Sequence, residues 1–203
     1  TLSGGSLTVG QEVEIAPAGL RARVRGLQNH GRDVENAAPG QRTAVNLAGI
    51  AVEDIGRGMV LALPGTISGT MSVDVRLRAV PYIERAVRHN LNVTFHTGAA
   101  EASGRLLLLD ADAVSAGESA WAQVRLAEPV AALPGDRFVI RDPNDTLGGG
   151  TIGAIDAPRH RRHHAPTIAV LEALAGGSPT EGMLSALRSI EAAAAQVADA
   201  LIE

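Results

Sequence analysis

Apolar and charged residues alternate one for one along much of the first 156 positions. Leu20-Arg21-Ala22-Arg23-Val24-Arg25 is the clearest run, and Glu12-Val13-Glu14-Ile15 and Val73-Asp74-Val75-Arg76-Leu77-Arg78 repeat the pattern. Alternation of this kind predicts strands with one face on a core and the other in water. Shorter runs cover 42–47, 59–63, 91–95, 104–109, 122–126 and 137–141. Turn signals separate them: Asn29-His30-Gly31, Pro39-Gly40, Pro64-Gly65, Ser115-Ala116-Gly117 and Pro134-Gly135. Many short strands with Gly/Pro punctuation predict an all-β sandwich or barrel.

One device occurs twice. Pro39-Gly40-Gln41-Arg42 opens the run Thr43 to Leu47, and Pro134-Gly135-Asp136-Arg137 opens Phe138 to Arg141, 95 positions later. Proline then glycine at the centre of a turn is the type II signature. The repeat predicts two antiparallel β-barrels, over 1–70 and 71–157, with a Gly/Pro/Ser/Thr seam near 64–72. From 158 to 203 the pattern changes. Residues 157–166 read as a polar His/Arg-rich linker and 167–175 as a short helix ended by Gly176-Gly177. Ser178-Pro179-Thr180-Glu181 is a capping box with proline at the first helical position. It predicts a second helix through Met183, Leu187, Ile190, Ala194, Val197 and Leu201.

Composition narrows the chemistry. The 203 residues include no Cys, and all 18 residues in the Lys+Arg count are Arg. Disulfides, thiolate nucleophiles, zinc ribbons and iron–sulfur ligation are thereby excluded. So are a Walker A lysine, a Schiff base and a lysine general base. Aromatics are 2% of the chain, too few for a base-stacking platform. The net charge of −4 sets no general preference for nucleic acid. No apolar run reaches the roughly 18 residues of a membrane span, and no signal peptide opens the chain. A cytoplasmic protein with no membrane partner is expected, and the absence of an initial Met reads as a processed or excised piece.

Candidate sites are few. Gly148-Gly149-Gly150-Thr151-Ile152-Gly153 matches G-x-G-x-x-G, but a strand closed by Pro158 follows it where a dinucleotide site needs a helix. Glycines at a barrel corner are the better account. Arg159-His160-Arg161-Arg162-His163-His164 is the one dense basic cluster. It reads as a solvated linker, or as a contact with an RNA phosphate backbone through Arg159, Arg161 and Arg162. A metal on His160, His163 and His164 would lack a scaffold for its ligands, and no metal site is assigned. The stripe Arg21, Arg23, Arg25 reads as a wet strand face or a phosphate contact. His30, His89 and His96 have no nucleophile paired with them in the sequence. Glu53-Asp54 and Asp110/Asp112 read as turn formers.

Two stretches resemble a known family. Gly40-Gln41-Arg42-Thr43-Ala44-Val45-Asn46-Leu47-Ala48-Gly49, followed by Glu53-Asp54-Ile55-Gly56-Arg57-Gly58, resembles domain 2 of translational GTPases, most closely that of the selenocysteine-specific elongation factors. Pro134-Gly135-Asp136-Arg137-Phe138-Val139-Ile140-Arg141 with Gly148-Gly149-Gly150 resembles domain 3 of the same family. The helical tail is similar to the start of that family's winged-helix region. The resemblance implies two barrels behind a GTPase domain that binds GTP and magnesium. These 203 residues hold nothing resembling that domain, so a non-catalytic chain without a cofactor of its own is expected. It further implies that the first strand of domain 2 lies outside the chain, leaving a sheet edge for a neighbouring chain or a terminal segment to cover. The partners implied are selenocysteinyl-tRNA, the ribosome and, through further winged helices, a messenger-RNA hairpin. Arg42 matches the family's aminoacyl-pocket arginine, where a permanent cation would select a selenolate over a seryl hydroxyl. Arg85, Arg88 and His89 are the expected tRNA contacts of domain 3. The alternatives are the barrels of elongation factor Tu or initiation factor 2 gamma, a free-standing β-barrel adaptor for protein partners, or a metal-dependent enzyme on the histidine cluster.

Overall fold

The computed structural model describes residues 1–176, so the helix expected from Ser178 onward lies outside the described residues. The described residues form two compact units, one of residues 1–69 with 130–132 and the other of 70–129 with 133–176.

In the first unit the strands are β1 (Leu7–Thr8), β2 (Glu12–Ala16), β3 (Leu20–Asn29), β4 (Arg32–Val34), β5 (Asn36–Ala37), β6 (Thr43–Ala48) and β7 (Val60–Ala62). The long β3 pairs antiparallel with β2, β4 and β6, and β2 also pairs with β7. β1 and β5 form a separate two-stranded ribbon. This sheet does not close, because β6 and β7 each have a strand partner on one side only among the described residues. Its core is Leu7, Val13, Ala22, Val24, Leu27 and Ala37, supplied by the apolar half of each alternating run. The charged half pairs across strands: Arg23 stands opposite Glu12 and bonds it at 3.1 Å, and Arg21 stands opposite Glu14. Arg25 falls where the register between β3 and β6 slips. His30 (φ 50°) and Gly31 (φ 76°) both take positive φ, as a tight turn between right-twisted strands requires.

The second unit contains β8 (Gly69–Ala79) apart from its first residue, β9 (Val87–Arg88), β10 (Leu91–Thr97), β11 (Ala100–Leu108), β12 (Ala113–Val114), β13 (Ser119–Ala131) apart from its last two residues, β14 (Arg137–Arg141), β15 (Thr146–Ile155) and α1 (Ala165–Ala175). Six strands close a barrel in the order β10-β11-β13-β8-β15-β14. Val75, Leu77, Phe95, Leu106, Val124, Phe138 and Ile140 fill it, with Phe95 and Phe138 stacked at 5.4 Å. Gly135 (φ 93°) makes the turn into β14.

The glycine run Gly148-Gly149-Gly150 lies inside β15, paired with β14 on one side and β8 on the other. A Cβ on Gly150 would stand 1.9 Å from the Arg76 carbonyl oxygen, and one on Gly148 would stand 2.4 Å from that of Arg78. Close strand approach therefore requires these glycines, and the dinucleotide reading fails on geometry. Gly150→Ala is expected to lower stability by more than about 4 kcal/mol. Gly117→Ala, at φ 75° with open space around it, should cost only about 1–2 kcal/mol. Denaturant melts of the two variants check the contrast.

Candidate nucleic-acid interface

Strand alternation continues onto the outside of the barrel. On β10, β11 and β13 the outward residues Asn92, Arg105 and Arg125 stand directly opposite one another. They line a groove of about 500 Å³ with Thr94, Ser103 and, at one end, Asp142. Arg105 donates to the Asn90 side chain at 3.0 Å, whereas exposed Arg125 has no side-chain partner among the described residues. Like charges directly opposite on a sheet are destabilising. Two guanidiniums in that arrangement form an anion-seeking surface. The one carboxylate at the groove, Asp142, is already matched. It is buried, accepts from the Asn144 and Asp145 backbone N–H groups, and is ion-paired with Arg85.

Arg85 is thus tied at its tip but remains 62% exposed, near this groove. Arg88 is exposed on β9, and half-buried His89 places Nδ1 3.1 Å from the Leu108 carbonyl. Arg105 and Arg125 were not singled out from the sequence. Their signal was available only as a register, since the opposition of β11 and β13 cannot be read from either strand alone.

Arg42 is exposed just ahead of β6. Leu2 fixes the turn beneath it through two backbone hydrogen bonds, Gly40 N to Leu2 O (2.8 Å) and Leu2 N to Gln41 O (3.0 Å). Gly40 takes φ 84°, the type II geometry its sequence predicts.

The stretch expected as a solvated linker is a strap bound along the barrel. His160 Nε2 lies 2.6 Å from Asp74 Oδ2, and Gln123 donates to Asp74 Oδ1 and to the Pro158 carbonyl. Arg162 donates to the Leu108 and Ala111 carbonyls and to Asp112, and His163 N donates to Leu109 O. Arg162 is therefore not a free cation for RNA, in contrast to the sequence expectation; Arg159 and Arg161 stay exposed. The three histidines diverge: His160 binds Asp74, His163 faces Asp112 at 3.5 Å, and His164 bonds Thr167 ahead of α1. Asp74, expected on a wet face, is 1% exposed because the strap covers it.

The open sheet of the first unit and the closed barrel each match a known family. Residues 71–159 match the family model described as selenocysteine-specific elongation factor, beta-barrel domain, and residues 2–62 match that of elongation factor Tu domain 2. A selenocysteine-specific elongation factor from Desulfomicrobium baculatum is 38% identical over 186 residues, which is 91% of this chain. The chain belongs to the selenocysteine-specific elongation factor family. It spans 29% of that relative's length. Elongation factor Tu 2 of Streptomyces avermitilis is 26% identical over 156 residues, 75% of this chain and 40% of that protein.

What the chain matches of a selenocysteine-specific elongation factor is its barrel region. The glycine run does not fit the phosphates of GTP, the nucleotide the family implies. The chain has no lysine, and its glycine run is enclosed in a β ladder rather than opening a helix N-terminus. No helix among the described residues is long and apolar enough to cross a membrane.

The strap has a titratable signature. Hydrogen bonding and charge from Arg162, with a smaller contribution from His163, hold the Asp112 carboxyl below its ordinary 3.8. A depressed folded-state value means that this contact stabilises the fold above about pH 4 and ceases to do so as pH falls through the lowered value. Carbon-detected NMR should find Asp112 titrating below 3.8, and Arg162→Gln should move it upward.

Proposed function

We propose that this chain is the tRNA-holding part of a selenocysteine-specific elongation factor that delivers selenocysteinyl-tRNA to the ribosome in the cytoplasm. The observation that carries the reading is the opposed Arg105–Arg125 pair over an open groove. Such a surface suits consecutive phosphates, which position a nucleic acid without reading its sequence. Arg42 supplies the second half of the reading. A selenol is more acidic than a thiol, so a selenocysteinyl group is anionic near neutral pH. A permanently protonated guanidinium at its pocket favours it over a neutral seryl group. Contact with a messenger-RNA hairpin belongs to the same proposal and would involve segments beyond the barrels.

Carriage of aminoacyl-tRNA in the manner of elongation factor Tu is the second reading, favoured by the match over residues 2–62. The two separate on Arg42. In the full-length factor, Arg42→Ala should weaken selenocysteinyl-tRNA binding about tenfold or more, the scale of a hydrogen bond to a charged group, and leave seryl-tRNA nearly unchanged. Equal losses would remove the discriminating role. Arg105→Ala and Arg125→Ala should weaken both tRNAs alike and lower the salt slope by about one unit each. An unchanged slope would detach the groove from tRNA.

A further inference from the structure

The outward side of β8 and β13 is covered in a way that neither the barrel nor the proposed function requires. On β13, inward Ala120, Ala122 and Val124 are buried, as a barrel demands, but so are outward Trp121 and Gln123. On β8, Asp74 is buried between inward Val73 and Val75. The strap and α1 form the cover. Leu171, the one buried residue of α1, packs with Leu109 and Trp121, and Ile168 lies beside them.

We propose that residues 156–164 are a releasable clasp that fastens α1 over Trp121, with Asp74–His160 as its catch. Three features make it releasable. First, the catch is polar. Asp74 receives one donor on each oxygen, from His160 and from Gln123, and water can replace both when the strap lifts. Second, the covered face has polar contacts that involve neither the strap nor α1: Arg76 stacks 5.4 Å from the Trp121 ring centroid and sits 3.7 Å from Asp110. Third, the closed state carries an uncompensated penalty. The Trp121 indole N–H is buried without an acceptor among the described residues, and opening returns it to water. The helix in turn depends on the clasp. It has 11 residues and no side-chain N-cap bond, and a helix that short is marginal in water alone.

The alternation within the strap fits this role. His160 and Arg162 are turned onto the barrel, and Arg159 and Arg161 between and before them are exposed. The contacts from Pro158 to His163 are polar and can be lost one after another as the strap lifts.

Trp121 is the only tryptophan of the chain, so its emission in the 203-residue protein reports on the cover directly. In a His160→Ala/Arg162→Ala double variant, emission should shift to the red and acrylamide quenching should rise severalfold. Amides of α1 should exchange rapidly while those of β10 and β11 keep their protection. Unchanged emission and exchange would overturn the clasp, since the polar catch would then hold nothing. Loss of β10 and β11 protection together with α1 would also overturn it, since the strap would then be part of the barrel's own fold. Leu171→Ala removes only the apolar seat. It should uncover Trp121 while the His163 amide stays protected, and loss of that protection too would overturn an independent catch.

Discussion

Closure of the second unit depends on one steric constraint, the passage of β15 between β8 and β14 at backbone contact distance. Carbonyl oxygens of Arg76, Arg78 and Phe138 occupy the space where side chains of residues 148–150 would begin. Once three glycines allow that approach, the ladder has no free edge and every other strand has a fixed register. The groove follows from it, because Arg105 meets Arg125 only when β11 and β13 are locked side by side. The strap follows too, since Asp74, Gln123 and Trp121 line up for it only on a closed surface.

Much of the architecture was legible in the chain. Period-two runs placed the strands, and Pro39-Gly40 and Pro134-Gly135 marked turns whose glycines take positive φ. The strands proved longer than their apolar cores suggested. β8 runs from Gly69 to Ala79 and β13 from Ser119 to Ala131, because ladder hydrogen bonds continue through residues with no patterned side chain. The pattern misled at Asp74. A charged residue at an outward position normally meets water, and nothing within Val73-Asp74-Val75 announces that a segment 86 residues away will cover it.

The histidine and arginine cluster teaches the same lesson in reverse. Its density reads as one basic patch, yet its members have separate duties: His160 and Arg162 are bound to the barrel, His164 meets Thr167 at the head of α1, and Arg159 and Arg161 face solvent. Charge density along a sequence counts cations, whereas function depends on how many remain uncommitted. The stripe on β3 behaves likewise, since Arg23 is matched by Glu12 across the strand pair. Arg42 differs from these in being both exposed and anchored at its base by Leu2.

The open sheet of the first unit has a consequence for handling the chain. β6 and β7 each present a row of backbone donors and acceptors with no strand beside them among the described residues. Such edges are templates for a strand from another molecule. β7 is three residues long and offers little purchase, but β6 is six residues long and has no proline within it. Self-association at high concentration would therefore begin at β6, while the closed barrel offers no edge to a neighbour.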